Sequence, residues 1–255
     1  MLFTRKIEVA TEKPWVMLLH GLYSSSSNWY PIARMLECNV LLVDLPNHGR
    51  SAWVDDFSYR GLARAVNELI DREMMVVGHS LGGRVATMLA ADNPLVTGLM
   101  VIDISPISTR KSERTFLMAH RFFLELMVEA RENKVTDIEA FLVSRGATED
   151  MCAAVEQAYR QMNVAVVAEQ IMGMVDEWCD IMSHFQTITT PTIFVRGTAS
   201  PYIADAALPE LAKVFINSSV KEIEGGTHRL HHQFPELLSD LIKNFANENS
   251  GCHLP

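Results

Sequence analysis

A short apolar run leading straight into a serine between glycines is the feature that most constrains how this chain can fold. Residues 74–77 read MMVV, residues 78–82 read GHSLG, and the next stretch has the composition of a helix. A G-x-S-x-G turn between a strand and a helix holds its serine exposed at the strand end, next to a base that can activate it. Glycine at 78 and 82 removes side chains that would collide in so tight a turn. In this context Ser80 is predicted to be a nucleophile, and a turn of small residues without catalysis is the less favoured interpretation.

The order of apolar runs along the rest of the chain predicts an α/β fold. Runs rich in Val, Ile and Leu alternate with stretches of helical period. The predicted strands lie near residues 2–9, 15–20, 39–45, 74–78, 99–104, 192–197 and 220–224, and the predicted helices near 28–36, 59–71, 81–93, 204–214 and 235–246. Such alternation is typical of a mostly parallel sheet that is covered by helices on both faces.

The alternation is interrupted once, over residues 107–186. This segment has helical periodicity without a convincing strand, and it holds seven of the 14 methionines. We interpret it as a helical cap inserted into a core made of residues 1–106 and 187–255. Met172 and Met174 are candidates for lining an apolar substrate pocket, although packing among the cap helices is the favoured interpretation of the methionines as a group.

Composition limits the partners of the chain. With 255 residues, 48% of them hydrophobic, it can bury one core with a sizeable insertion. The formal net charge of -9 and the lack of any basic run argue against nucleic acid or an anionic membrane surface as a partner. The apolar runs are far shorter than the ~20 residues of a membrane span, and residues 1–6 lack the apolar stretch of a signal peptide.

Cysteine spacing gives no indication of a metal or a disulfide framework. The four cysteines show no C-x-x-C pattern, and the histidines near the end of the chain have no carboxylate at matching helical spacing. No metal and no cofactor are therefore expected. We predict a cytoplasmic protein, monomeric or a small homo-oligomer, that acts on a small molecule.

The base and the oxyanion donors are predicted from their positions after strands. The base of a G-x-S-x-G enzyme follows the serine and the acid along the chain, and His228 lies in a glycine-rich loop, 224–228 (EGGTH), after the last strand. The backbone N–H of Leu81, directly after the serine, is one expected donor to an oxyanion. The second is the N–H of Leu22, because residues 20–22 (HGL) follow an apolar strand.

The acid has two candidates on different strands. Many proteins with this order of elements place it after the strand that here ends near Gly197, but residues 196–202 contain no carboxylate and Asp205 is the first one available. Asp103 instead ends the preceding apolar strand, in the same row as Ser80. A carboxylate buried there needs a partner, and an imidazole is a suitable one. The alternative for Asp103 is a structural role, in which it holds the root of the cap through backbone hydrogen bonds.

Together these residues resemble the α/β-hydrolase esterases close to bacterial YbfF and its eukaryotic relatives. The resemblance is carried by residues 20–22, 43–51, 78–83, 102–106, 200–202 and 226–231, which cover most of the core and little of the cap. It implies the α/β-hydrolase fold, Asp103 as the acid, and Ser200 as a supporting serine that joins the hydrogen bonds of the triad. It also implies that the protein hydrolyses a small acyl ester or acyl thioester through an acyl-enzyme.

Two other functions stay open. Residues 80–86 (SLGGRVA) also resemble the elbow of the menaquinone-pathway lyase of this fold, in which the Ser-His pair abstracts a proton and arginines bind substrate carboxylates. Arg84 would then be part of the substrate pocket. That lyase, however, places its acid after the strand that lacks one here. The second is a non-catalytic receptor that keeps the pocket, and dehalogenase chemistry is disfavoured because its nucleophile would be Asp at position 80.

Overall fold

The fold is built on one seven-stranded sheet. A computed structural model describes residues 1–147, 155 and 158–249 of the chain. The strands are β1 (Thr4–Ile7), β2 (Trp15–Leu19), β3 (Asn39–Val43), β4 (Met74–His79), β5 (Val96–Ile102), β6 (Thr192–Gly197) and β7 (Ser218–Ile223). Their order in the sheet is β1-β3-β2-β4-β5-β6-β7, and every neighbouring pair is parallel except β1 with β3. This confirms the predicted fold class.

The helices fall into three groups along the chain. Three helices precede β5 along the chain: α1 (Tyr30–Ala33), α2 (Tyr59–Asn67) and α3 (Leu81–Asp92). Between β5 and β6 lie α4 (Arg110–Glu132), α5 (Ile138–Ser144), α6 (Val164–Gln170) and α7 (Gly173–Ser183). After β6 come α8 (Leu208–Val214), α9 (Leu230–Gln233) and α10 (Pro235–Asn249). None of the described helices is both long enough and apolar enough to cross a membrane.

Strand β2 shows why the central strands are continuously apolar. Val16 and Leu18 pack into the core on one face of the sheet, and Met17 and Leu19 pack into the core on the other face. Successive side chains of a strand point to opposite faces, so a strand with helices on both sides has no face left for polar residues. All four residues are fully buried.

The helical insertion is defined here as α4 to α7, which lie between β5 and β6, and no strand lies between these two strands among the described residues. It is fastened to the loops that follow β3. The N–H of Asn163 donates to the carbonyl of Asn47 at 2.9 Å, and the N–H of Phe57 donates to Gln170 Oε1 at 2.7 Å. The insertion therefore lies over the edge of the sheet at which the parallel strands end.

Candidate active site

Ser80 lies at the turn between β4 and α3, in an unusual backbone conformation. Its φ is 52° and its ψ is -119°, which non-glycine residues rarely adopt. The surrounding glycines are needed for space, because a Cβ on Gly78 would come within 2.2 Å of the Gly82 carbonyl oxygen. Ser80 is anchored to the neighbouring strand by its N–H, which donates to the Ile102 carbonyl at 3.0 Å. The predicted elbow is therefore present in the structure.

Asp103 occupies the equivalent position one strand further along the sheet. It directly follows β5, its φ is also 52°, and it is fully buried. Its Oδ2 accepts hydrogen bonds from His228 Nδ1 at 2.7 Å and from the Ser200 hydroxyl at 2.5 Å, and its Oδ1 accepts one from the Gly197 N–H at 3.3 Å. The structure thus brings together three of the residues predicted from sequence.

Asp205 is placed very differently. It begins the 3-10 turn Asp205–Ala207 rather than lying within α8, and its side chain is 86% exposed. It pairs with Arg196 Nη2 at 2.5 Å. An exposed carboxylate with a cationic partner has no part in the Asp103–His228 hydrogen bond.

The loop that carries His228 is held at two points. Its Gly226 is packed so tightly against Gly197 that a Cβ on Gly197 would lie 2.1 Å from the Gly226 carbonyl oxygen. The His228 carbonyl accepts a hydrogen bond of 2.7 Å from His79 Nε2. Burial first, and then the nearby His231 and His228, lower the pKa of His79 well below its usual value, so its ring is neutral. The neighbour of the nucleophile therefore fixes the backbone of the candidate base.

The two residues expected to supply oxyanion donors, Leu22 and Leu81, line the same small cavity as Ser80. Neither of their backbone N–H groups donates a hydrogen bond to any residue of the described part of the chain. The loop of Leu22 is shaped by His20, whose Nε2 accepts from the Leu45 N–H at 2.9 Å while Nδ1 donates to the Gly21 carbonyl at 2.8 Å. Two backbone donors near Ser80 suit a negatively charged oxygen.

No hydrogen bond between the Ser80 hydroxyl and His228 occurs among the described contacts. Such bonds are often long in unliganded enzymes and tighten once substrate is bound. Both groups nonetheless lie at the same sheet edge, because the ring of His79 contacts the ring of His228 with centroids 4.7 Å apart.

Arg84 lies one turn after Ser80 on α3, but its charge is already matched. It is 2% exposed, and both of its terminal nitrogens bind the carboxylate of Glu113 on α4. It also donates to the Tyr59 hydroxyl at 2.8 Å and lies 4.8 Å from the centre of the Trp178 ring. Burial opposes its charge, yet Tyr59 and Glu113 outweigh that effect and raise its pKa. A substrate carboxylate would have to compete with Glu113 for this guanidinium.

A small apolar cavity lies against the serine. Its volume is about 20 Å³, which is room for about one water molecule. Its lining includes Leu22, Ser80, Leu81, Arg84, His120 and Met174. Of the two methionines singled out from the sequence, Met174 lines this cavity, whereas Met172 packs at the edge of the core without reaching it. A wider groove of about 730 Å³ adjoins the cavity and shares Arg84, Ile104 and Phe116 with it.

Sequence reasoning missed three residues that reach the site from a distance. Glu113 and His120 lie on α4, where helical periodicity does not identify the residues that face the elbow. Tyr23 follows the Leu22 loop and contacts His120. The sequence offered one signal for the Arg84–Glu113 pair: a Glu in the first turn of one helix, and an Arg shortly after the elbow serine. This combination is too general to identify an ion pair. Among the described residues, no group of three or more His, Cys, Asp or Glu is arranged to hold a metal.

Known proteins match both the sequence and the fold. The chain is 29% identical over 251 residues to the sn-1-specific diacylglycerol lipase ABHD11 of Danio rerio, covering 89% of this chain and 77% of the relative. It is 25% identical over 244 residues to the esterase YbfF of Escherichia coli, covering 91% and 93%. A solved esterase from a marine microorganism superposes with a TM-score of 0.79 at 28% identity, covering 96% and 98%.

A more distant match tests the fold alone. The structure of MenH from S. aureus superposes with a TM-score of 0.73 at 19% identity, over 97% of this chain and 98% of that one. The profile described as "Alpha/beta hydrolase family" matches residues 16–241, which include Ser80, Asp103 and His228. The chain therefore belongs to the alpha/beta hydrolase family.

Proposed function

We propose that this protein is a serine esterase that hydrolyses a small acyl ester or acyl thioester with Ser80, His228 and Asp103 as its catalytic triad. The observation that carries the proposal is the 2.7 Å hydrogen bond between His228 Nδ1 and the buried Asp103 carboxylate, at the sheet edge where Ser80 is displayed. The esterases and lipases among its relatives support ester hydrolysis as the reaction.

The proposed reaction begins with proton transfer from the Ser80 hydroxyl to Nε2 of His228 as the oxygen attacks the acyl carbon. Asp103 accepts a hydrogen bond from the Nδ1–H of His228 throughout the reaction. This bond keeps the ring in the productive tautomer and stabilises the imidazolium. The carbonyl oxygen becomes negatively charged, and in this proposal it accepts hydrogen bonds from the N–H groups of Leu22 and Leu81.

The intermediate then collapses. His228 returns the proton to the leaving alcohol or thiol, and the acyl group stays on Ser80. A water molecule, deprotonated by the same imidazole, attacks the acyl-enzyme, so that the carboxylic acid leaves and the serine is restored. No other reactant is needed.

The enclosed cavity favours a small acyl group. At about 20 Å³ it accepts little more than a methyl group without movement of its lining, while the adjoining groove of about 730 Å³ has room for a larger leaving group. We propose that the helical insertion, residues 107–186, acts as a cap that sets these dimensions, since Met174 and His120 reach the cavity from it.

The arrangement of Arg84 argues against the lyase alternative. That reaction uses arginine to bind a substrate carboxylate, whereas Arg84 is held by the buried carboxylate of Glu113. The receptor alternative is separated from an esterase by turnover: a receptor would bind a small molecule tightly and hydrolyse simple esters slowly.

The test of the triad is Ser80→Ala in an assay with p-nitrophenyl acetate. We expect kcat to fall on the order of 10^4-fold or more with the fold intact, because the acyl-enzyme cannot form. A fluorophosphonate probe should label wild type at Ser80 and leave the variant unlabelled. Ser144→Ala is the control, since that hydroxyl is exposed on α5 and only bonds the Phe141 carbonyl. Near-normal activity of Ser80→Ala, or labelling of another serine, would refute the proposal.

The two methionines give a matched test of the acyl site. Met174→Trp should shift the optimum of a p-nitrophenyl ester series toward shorter chains, because it fills a cavity that is already narrow. Met172→Trp, a control on the same segment that does not line the cavity, should leave the profile nearly unchanged. If both variants keep the wild-type profile, Met174 has only a packing role.

A further inference from the structure

A histidine on the insertion lines the serine cavity, and the proposed triad does not use it. His120 lies in the middle of α4 and lines the same small cavity as Ser80, but it does not line the adjoining groove. It is tied to the loop of Leu22 by Tyr23, whose hydroxyl contacts both the His120 carbonyl at 3.1 Å and His120 Nδ1 at 3.2 Å. Because the proposed function gives the cavity to the acyl group and the groove to the leaving group, His120 belongs to the acyl side.

The two contacts with Tyr23 determine which ring nitrogen of His120 carries the proton. Two oxygens 3.1 Å apart repel each other unless a proton lies between them, so the single hydroxyl proton of Tyr23 goes to the His120 carbonyl. Nδ1 must then donate to the Tyr23 oxygen, which leaves a lone pair on Nε2. Burial raises the pKa of Tyr23, so the hydroxyl keeps its proton.

Nε2 of His120 accepts no hydrogen bond from any residue of the described part of the chain. It is also absent from the unpaired side-chain atoms that are sealed from solvent there, so water-sized space adjoins it. Burial, and to a smaller extent His228, lowers the pKa of His120 to about 4. The ring is therefore neutral near pH 7, where Nε2 can accept a hydrogen bond but cannot donate one.

The other polar side chains of the cavity lining already have partners. The terminal nitrogens of Arg84 bind Glu113, and the Tyr59 hydroxyl accepts a hydrogen bond from Arg84. Apart from Ser80, His120 therefore offers the one side-chain acceptor of this lining that has no partner among the described residues. The rest of the lining is mainly apolar, so a single acceptor there selects for a single donor.

The size of the cavity indicates which part of an acyl group the acceptor meets. Its volume of about 20 Å³ has room for about one water molecule, and a hydroxyl group is of similar size. The acyl carbon bonds to Ser80, so the atoms that enter so small a space are the α-carbon and one substituent on it.

We propose that Nε2 of His120 accepts a hydrogen bond from a hydroxyl group on the α-carbon of the acyl group, so that the preferred substrate is an ester or thioester of a short 2-hydroxy acid. The inference rests on the proposed esterase function and makes its substrate class more specific. An alkyl group in the place of the hydroxyl would leave Nε2 buried without a partner, which costs binding energy.

The test compares two esters that differ only in that hydroxyl. Ethyl glycolate and ethyl propionate share their leaving alcohol and carry a hydroxyl and a methyl group, respectively, on the α-carbon. Acid release in a pH-stat follows the hydrolysis of both. The hydroxyl also activates the ester chemically, and this factor cancels when the glycolate-to-propionate ratio of kcat/KM in wild type is divided by the same ratio in His120→Phe. We expect a quotient of about three to ten, the value of one neutral hydrogen bond.

Two amide variants test which ring nitrogen is involved. His120→Gln places its amide near the position of Nε2 and should keep part of the preference for the glycolate ester. His120→Asn places its amide near Nδ1, where it can still bond Tyr23, and should lose the preference. Met118→Ala is the matched control, because Met118 lies on the same helix and is 54% exposed, and it should keep the wild-type ratio.

The possible failures can be told apart. An equal ratio in wild type and His120→Phe, with p-nitrophenyl acetate still hydrolysed, would overturn the role of His120 and leave the esterase function standing. Failure of wild type to hydrolyse p-nitrophenyl acetate and both ethyl esters would overturn the esterase function and this inference with it.

A second measurement does not depend on turnover. Nitrogen-15 chemical shifts of the His120 ring should show the Nδ1–H tautomer in the free protein. In Ser80→Ala, which cannot form the acyl-enzyme, saturating ethyl glycolate should move the Nε2 resonance to lower frequency as this nitrogen accepts a hydrogen bond. Ethyl propionate should leave that resonance nearly in place. A ring protonated at Nε2, or equal shifts with the two esters, would refute the assigned acceptor.

Discussion

Two buried carboxylates near the elbow, Asp103 and Glu113, differ in the groups that bind them. Asp103 ends a core strand and is bound by an imidazole, a hydroxyl and a backbone N–H. Glu113 lies in the first turn of α4 and is bound by the guanidinium of Arg84. They are 0% and 2% exposed, so burial does not distinguish them.

The difference lies in what each carboxylate can still do. Glu113 faces a permanent cation, so its charge is balanced before any reaction starts. Asp103 has no arginine or lysine among its hydrogen-bond partners in the described residues, and it is therefore available to stabilise a positive charge that develops on His228. One carboxylate contributes to holding the insertion on the core, and the other is suited to catalysis.

The largest expected effect is that of Asp103→Asn on turnover. The amide keeps the shape but donates toward His228, which leaves the ring in the wrong tautomer, so kcat should fall roughly 10^3- to 10^4-fold. Thermal unfolding should change little by comparison. The measurement is kcat with p-nitrophenyl acetate alongside a melting curve, and a mild effect on kcat would show that Asp103 is structural.

The corresponding substitution at Glu113 should lower the free energy of unfolding rather than the turnover. Glu113→Gln leaves Arg84 buried without its counterion, which should cost about 3–5 kcal/mol in the free energy of unfolding. The double variant Arg84→Met/Glu113→Leu should recover most of that loss, because it removes both charges. Urea unfolding measures both. A single variant as stable as wild type would mean that the pair does not hold α4 to α3.

Ser200→Ala sharpens the comparison within the Asp103 site. The hydroxyl is neutral, so it positions the Asp103–His228 pair without balancing its charge. We expect a loss of about 1–2 kcal/mol in transition-state stabilisation, roughly 5- to 30-fold in kcat. A loss as large as that of Asp103→Asn would make Ser200 an essential member of the site.

The smallest expected effect is that of Asp205→Asn. Its side chain is exposed, and Arg196 retains Glu222 as a partner. We expect kcat to stay within about twofold of wild type. If Asp205→Asn lowered kcat strongly and Asp103→Asn lowered it only slightly, the acid would lie after β6 and the lyase alternative would be favoured.

Local patterns were enough to predict the sheet. All seven strands lie within a few residues of the predicted ones. The central strands β2 to β5 have a continuous apolar signature because they are buried on both faces, whereas the edge strands β1 and β7 are largely exposed and carry a weaker signal. The helix ends were less predictable. The first helix was expected over residues 28–36 but is reduced to Tyr30–Ala33 after a 3-10 turn, and Asp205 lies in a 3-10 turn rather than in a helix.

The positions of Ser80 and Asp103 at strand ends were predictable, because each directly follows an apolar strand. Contacts between two distant segments of the chain were not predictable. Arg84 and Glu113 are 29 residues apart, and Tyr23 and His120 are 97 apart. Such pairs depend on how the insertion is seated on the core, which periodicity along one helix does not contain.

At position 80, the expected catalytic activity and the thermal stability of the protein favour different residues, because the backbone of Ser80 is strained. With φ at 52° and ψ at -119°, Ser80→Gly should relieve strain on the order of 1 kcal/mol and give a protein that melts higher and hydrolyses nothing. Selection of random variants for heat resistance alone would therefore enrich inactive chains. A thermostabilisation campaign on this scaffold should hold position 80 fixed and look for its gains elsewhere.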